Sequence, residues 1–525
     1  MLRWPALASL IFGMAAHAQP PSIAQNGVVN AASGTPSTLP GGEIARGARI
    51  VIRGVRMGTD RSGVRVLLSQ GGKVRRIAVQ AVNRFRVEAR IPGDTPLGDA
   101  NLVVETSEGA SKPFPLSVVA SQPGLFTING RGWGQGKITN LDLHGHSSAN
   151  AAGNPALPGQ TVSVLATGLG KAHQLQMVIG GSPEPASSTK RDAAGIDEIR
   201  FRVPANSPLG CSVPVYARTP DGRRSNIVTV TIGSQRADCS EREPLFSTAG
   251  AFGRDGLIAL VRAVTLHSES PTVTEDQAAA MFFRYDASAS DLNLLSIFPP
   301  IGHCNAVSGD LADLEYLASL PLMLTGGVRA KELDAGNPLL LAGQQGTRRL
   351  YKSHGSAGSY WGSLGMDNPS ISRAPPLFFG AAQSKIDVPG SADIDGFSRS
   401  WPGPAVLNWT NSDDFALLYR TRAATFVWRE APPDAVVIAA ALGVDPITTA
   451  ATFCFCTSRA SAGRLTMPAD MFTHFPNTTN QQVALQNVSM LMTLRLSAGI
   501  PPAIRGLDQL RLASIFAIMR RTDYE

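Results

Sequence analysis

Beyond its first eighteen residues the sequence has no apolar run long enough to cross a membrane as a helix. The longest, AVVIAAALGV at 435–444, has ten residues where about 18 to 20 are required. Charge is also scarce: Asp, Glu, Lys and Arg make up 17% of the chain, against roughly 25% in an average globular protein, which excludes a self-repelling disordered chain. Five cysteines contain no C-x-x-C spacing, so zinc-ribbon and thioredoxin-type motifs are absent. Strand-like and helix-like patterns never alternate, which excludes the doubly wound α/β enzymes. No basic segment is interleaved with aromatics or set on a recognition-helix pattern, so nucleic acid is not the expected partner.

What the sequence does have is turn formers, with 52 glycines and 37 prolines in 525 residues. Spread evenly, they indicate many short strands joined by tight turns. A chain of this length holds several cores, hence several domains. At the amino terminus Arg3, the apolar stretch 4–16 and Ala16-His17-Ala18 have the parts of a secretory leader. Residues 1–18 are therefore expected to be removed, and the mature protein to be secreted or extracytoplasmic, at the cell surface or in a periplasm.

Two segments then repeat. GARIVIRGVRMG (47–58) matches GQTVSVLATGLG (159–170), and IPGDTPLG (91–98) matches VPANSPLG (203–210), both at an offset of 112 (47 to 159, 91 to 203). One offset serving two motifs means a tandem duplication. Ile50 and Ile52, like Val162 and Val164, alternate with non-core residues, the signature of a strand with one buried face. A unit of about 110 residues built this way has the size of an immunoglobulin-like sandwich. The first copy carries Arg56-Met57-Gly58 where the second has Gly168-Leu169-Gly170, so its turn is expected to be less tight.

These segments, with GVVNAAS (27–33), SQPGLFT (121–127), GQGKITN (134–140), NPALPGQTVSVLATGLG (154–170) and SNIVTVTI (225–232), resemble the IPT/TIG-type immunoglobulin-like repeats of large secreted acidobacterial protein families. The resemblance covers 27–232 and implies β-sandwiches in a mostly non-enzymatic, extracytoplasmic setting, with no catalytic residues. Sandwiches are accordingly expected at 22–119 and 120–233, with a polar linker at 234–244. Residues 245–525 form a β-rich region, divisible into two subdomains, with apolar runs at 257–264, 338–343, 424–430, 435–441, 448–456 and 488–496. LDAGNPLLLAGQQGTRRL (333–350) and FCFCTSRASAGRLTMP (453–468) resemble the C-terminal region that accompanies such repeats. That resemblance implies a disulfide from Cys304 to Cys454 or Cys456, leaving Cys211 with Cys239. The fold class is thus all-β.

Four segments suggest chemistry. Gly145-His146-Ser147-Ser148-Ala149 nearly spells a nucleophile elbow, but Asn154-Pro155 and Pro158-Gly159 forbid the helix that must follow. Asp142, His144 and His146 would share one face of a strand and could offer three metal ligands; loop histidines at a strand end are the expectation, and no metal is assigned. NGRGWGQGK (129–137) fails phosphate-loop spacing, with Arg131 where glycine is needed and Ile138 after the lysine. Asp393-Ile394-Asp395-Gly396 lacks the later ligands of a calcium loop. No motif implies a cofactor.

Charge is the remaining signal. Residues 22–120 hold 13 Lys and Arg against 7 Asp and Glu, a net of +6 within a chain of +7. In RFRVEARI (84–91) Arg84, Arg86, Glu88 and Arg90 alternate with Phe85, Val87, Ala89 and Ile91, so the arginines are expected on the outer face of one strand, with Glu88 among them. The expectation is a secreted, non-catalytic binding or adhesion protein, with anionic polysaccharide or an envelope component attracted to those arginines. The alternative is a carbohydrate-active enzyme with its site in 245–525 and the repeats as spacers.

Overall fold

The computed structural model describes residues 19–170, 174–235, 253–267, 270–285, 298–311, 314, 330–380, 382–479, 487–497 and 504–525. The leader, most of the linker and Cys239 lie outside the described residues. The chain is all-β: strands account for 54% of it, and among the described residues no helix reaches seven residues.

The first repeat is a two-sheet sandwich. Strand Arg49–Val55 buries Ile50 and Ile52 completely and lies between Ser22–Asn30 and Arg86–Arg90. The facing sheet is built from Arg65–Gln70, Gly98–Thr106 and Phe114–Val119. One long strand, Lys73–Asn83, belongs to both: residues 73–77 pair with Arg65–Gln70 and 78–83 with Arg86–Arg90. The core between the sheets includes Ile52, Val66, Leu68, Val87 and Leu102.

The second repeat follows the same plan. Thr161–Thr167 takes the place of Arg49–Val55, and Gly210–Arg218 that of Gly98–Thr106, each 112 residues on (98 to 210). The short parallel pairing of Ile44 with Val118 recurs as a bridge from Ala156 to Ile232. The long shared strand is here broken into Ser182–Pro185 and Ser188–Arg191, one on each sheet. Pro183 and Pro185 remove ladder donors at that point, so the strand cannot run on continuously.

At the turn after Arg49–Val55 the expected difference between copies does not arise. Arg56 adopts φ 58° and its counterpart Gly168 φ 80°, both left-handed. The first copy makes the same turn with a side chain that costs about 1–2 kcal/mol in this conformation; Arg56 Nε donates to Pro20 O at 2.9 Å.

The C-terminal region is organised around a 13-stranded sheet, with a three-stranded and a two-stranded sheet beside it. Its first strand, Arg254–Leu266, pairs in parallel along its length with the strand Gln509–Arg521 near the chain's end. On one side of that seam lie Val488–Ser497, Val436–Val444, Ala450–Arg459 and Cys304–Asp310; on the other lie Val273–Tyr285, Ser359–Asp367, Gly346–Lys352, Leu339–Gly343, Ser384–Val388 and Phe397–Trp401. Some apolar runs of the sequence are strands buried on both faces, as in AVVIAAA, whose Ile438 and Ala440 face one core and Val437, Ala439 and Ala441 another, whereas the runs at 338–343 and 424–430 alternate buried with exposed residues. Cys304 lies directly opposite Cys456 and is bonded to it, while Cys454 is free and buried. Cys211 is also disulfide-bonded.

The repeats pack against this region and do not stand off as spacers. Trp133, in the glycine-rich connection 129–137, enters the core formed by Leu257, Phe455 and Ile515. Val178, Tyr216 and Ile227 of the second repeat join the core around Trp409 and Phe426. In the first repeat, Asn26 Nδ2 donates to Asp310 Oδ2 (2.8 Å) and to Thr448 O (2.6 Å), and Gln25 Nε2 donates to Ile447 O. His474 sits where all three meet. Its ring lies against Gly41 of the first repeat, its Nε2 is 3.4 Å from Arg224 O of the second, and its carbonyl accepts from Thr452 Oγ1.

Candidate functional site

The arginines singled out by the sequence do not form one free patch. Arg86 and Arg90 lie outward on strand Arg86–Arg90, as the alternation requires. Arg86, however, pairs with Glu88 at 2.8 Å, and Glu88 also accepts from Arg49 Nε at 3.0 Å. Arg90 Nη1 donates to Ala193 O of the second repeat at 2.7 Å, so it joins the two repeats. Arg84 is exposed in the turn before the strand. Phe85, expected to point inward, is exposed in that same turn, because the alternating pattern runs through a hairpin the sequence did not mark.

The Asp142–Ser147 segment is a turn closing on the short strand Ser147–Ala149, which pairs with Ile138–Leu141. Asp142 Oδ1 accepts the backbone N–H groups of His144 and His146, and its Oδ2 lies 2.8 Å from His146 Nδ1. The His146 side chain and these N–H groups hold the carboxyl below its usual range. Asp142 is thus occupied by its own turn, and among the described residues no three His, Cys, Asp or Glu converge as metal ligands. A cleft of about 210 Å³ opens beside it, but its amides are turned to the fold: Asn140 Nδ2 donates to Asn154 O, Asn154 Nδ2 to Ala149 O and Gln160 Nε2 to Leu141 O. Ser147 sits on a strand with no helix after it, so the elbow reading has no structural basis. Nor do Asp393 and Asp395 converge: Asp393 accepts the Asp334 N–H and Asp395 pairs with Arg505 at 2.6 Å.

The arrangement with binding chemistry was not singled out by the sequence. Strands Gly346–Lys352 and Ser359–Asp367 are antiparallel neighbours in the large sheet, with Tyr351 directly opposite Trp361. Alternation sends Leu350 and Tyr360 into the core, where they are 0% and 1% exposed. It sends Tyr351 and Trp361 outward, where they remain 53% and 52% exposed. Arg349 and Ser363 share this outer face, each two residues along its strand.

Exposed large aromatics are costly in hydration, and two of them opposed on a sheet make a firm apolar platform bordered by polar groups. The register beneath is fixed by a buried ion pair. Asp276, fully buried on Val273–Tyr285, accepts from Arg262 Nε and Nη2 at 2.7 Å each, and from the backbone N–H of Phe378 (2.7 Å) and Phe379 (2.8 Å). A bulge falls at this point, between Asp276 and Gln277, where the strand meets Ser359–Asp367. The bulge sets which residues of that strand face outward.

No protein-family model matches the chain, and no curated protein matches it. Among solved structures it is similar to a Bacteroides ovatus mixed-linkage glucan utilization locus protein, SGBP-B, in complex with a mixed-linkage heptasaccharide (10% identity, 77% of this chain and 79% of that one, TM-score 0.14). It is similar to SGBP-B from a complex xyloglucan utilization locus in Bacteroides uniformis (12% identity, 66% and 86%, TM-score 0.16). It is similar also to domains A168–A170 of titin (11% identity, 70% and 92%, TM-score 0.14). Likenesses at this level transfer neither ligand nor role to this chain.

Proposed function

We propose that this chain is an extracytoplasmic, non-catalytic protein that binds polysaccharide on the outer face of its C-terminal sheet. The observation that carries the reading is the exposed Trp361–Tyr351 pair. The C–H faces of a pyranose ring stack on aromatic rings held this way, while hydroxyls reach flanking polar groups such as Ser363. A platform on rigid strands meets such a ligand with little loss of side-chain freedom. The Cys304–Cys456 disulfide supports placement outside the reducing cytoplasm. Membership of the IPT/TIG-type repeat proteins is proposed on the same footing, supported by the 112-residue duplication.

Among the described carboxylates of the C-terminal region that are displaced from their usual range, the one held high lies inside the fold, which supports the non-catalytic part. A glycosidase needs a carboxyl held high as general acid. Asp387 is held low by the Ser398 hydroxyl and Lys385, and Asp508 by the Arg254 backbone N–H. For Glu332, burial is outweighed by bonds from Ser356, Ser359, Ala357 N and Gly358 N, and the net shift is down. Burial pushes Asp255 up, against the opposing pull of Arg511, but its side chain is almost wholly inside the fold.

Electrophoresis through gels containing soluble polysaccharides tests the reading. The wild type is expected to be retarded by at least one polymer, and Trp361→Ala to bind about 30-fold more weakly, as for loss of an aromatic anchor of about 2 kcal/mol. Equal retardation of both proteins would remove the platform from the account. Release of reducing ends from a retarding polymer would favour the enzyme alternative.

A further inference from the structure

We infer that the polymer bound at the Trp361–Tyr351 face is acidic, a uronic-acid polysaccharide whose carboxylate is taken by Arg349; this rests on the polysaccharide-binding reading above. Arg349 precedes Tyr351 by two residues on Gly346–Lys352, so its side chain leaves the same face about 7 Å along the strand. Tyr351 is in turn directly opposite Trp361. A sugar stacked on either ring therefore has one guanidinium within reach of its substituents.

Arg349 is exposed and has no ion-pair partner among the described residues. Its cross-strand neighbour is Leu340, itself 38% exposed. The next residue on that row, Asp387, is already paired with Lys385 at 2.9 Å. Five other arginines of the region are held in ion pairs: Arg262 to Asp276, Arg254 to Asp508, Arg495 to Asp434, Arg505 to Asp395 and Arg520 to Asp413. A free guanidinium beside two exposed rings offers a planar fork that matches a carboxylate bidentately, a bond roughly twice as strong as one to a neutral hydroxyl.

Bases of a single-stranded nucleic acid also stack on aromatics. The platform has one free arginine beside it, however, not the basic groove that tracks a phosphate backbone, and the disulfide argues for a compartment without resident nucleic acid. A uronate polymer fits both features.

Titration calorimetry with the disulfide-intact chain tests this, using polygalacturonate and alginate, each beside its methyl ester, and oligothymidylate. The wild type is expected to bind at least one acid form about tenfold more tightly than its ester at low salt, with the difference shrinking at high salt. Arg349→Gln is expected to lose that selectivity, the acid form falling to about the affinity of its ester, Arg349→Lys to keep part of it, and Trp361→Ala to lose both forms. Equal affinity for acid and ester, selectivity retained in Arg349→Gln, or tighter binding of oligothymidylate would overturn the acidic-polymer inference. Binding of ester and acid alike with loss in Trp361→Ala would leave the polysaccharide reading standing; no binding of any polysaccharide would overturn both.

Discussion

Replacing Asp276 with alanine is expected to cost about 3–5 kcal/mol of stability, because it leaves the Arg262 guanidinium in the interior without its counter-charge. Arg262 and Asp276 are opposed across the central pair of strands, and Asp276 also accepts the Phe378 and Phe379 N–H groups. The double variant Arg262→Met/Asp276→Leu removes both charges and is expected to recover part of the loss. It cannot recover all of it, since two buried N–H donors remain without an acceptor at about 1–3 kcal/mol each. Urea unfolding of the wild type, both single variants and the double variant measures this. A single-variant loss below about 1 kcal/mol would mean that the pair does not hold the register. Because the bulge beside Asp276 decides which side chains of Ser359–Asp367 face outward, these variants are also expected to weaken ligand binding more than their distance from Trp361 suggests.

Acid is expected to loosen the joint between the three parts of the chain. Burial, reinforced by Arg224, holds His474 down to a pKa of about 3, against about 6.5 for an unfolded histidine. The folded state keeps the ring neutral where the unfolded state takes a proton. The stabilisation is therefore fully present above pH 6.5 and is lost as pH falls from there toward 3. The loss reaches about 2 kcal/mol by pH 5, at about 1.4 kcal/mol per pH unit. The contacts of this ring with Gly41 and Arg224 O mean that its protonation opposes docking of both repeats. Melting temperatures of wild type and His474→Gln between pH 7 and 5 are expected to converge as pH falls, whereas parallel curves would mean that the ring titrates freely. The phenol of Tyr216, pushed up to about 12 by burial and by Asp470, stays protonated throughout and keeps its 2.8 Å bond to that carboxylate.

The two sandwiches were legible because duplication records itself twice, in turn glycines and in core alternation. Ile50, Ile52, Val162 and Val164 are all fully buried. The strands of the C-terminal region were legible as apolar runs, but their order was not. Nothing local says that Arg254–Leu266 will pair with Gln509–Arg521, some 250 residues later, at the middle of the 13-stranded sheet. The implied disulfide choice between Cys454 and Cys456 turned on strand register, which sets Cys304 against Cys456 and leaves Ala306 opposite Cys454.

The candidate site was harder to read for a similar reason. Tyr351 and Trp361 stand ten residues apart in segments where an apolar residue reads as core. Only the pairing of LeuTyr at 350–351 with TyrTrp at 360–361 across a hairpin puts one aromatic of each segment outside. The signal was present in the alternation, since Leu350 and Tyr360 already fill the inward positions. Arg86 and Arg90 drew attention through their spacing, which puts Glu88 on the same face but does not show that Glu88 pairs with Arg86 or that Ala193 O meets Arg90.

Tryptophan fluorescence tests the central claim most directly. Among the described residues Trp361 is 52% exposed, whereas Trp133, Trp401, Trp409 and Trp428 are all 7% exposed or less, so in the chain from residue 19 onward, without Trp4, collisional quenching by acrylamide reports chiefly on the platform. A saturating polysaccharide is expected to remove most of the quenchable fraction in the wild type and to have no such effect in Trp361→Phe. Quenching unchanged by a polymer that binds, or the same protection in Trp361→Phe, would place the ligand elsewhere on the molecule.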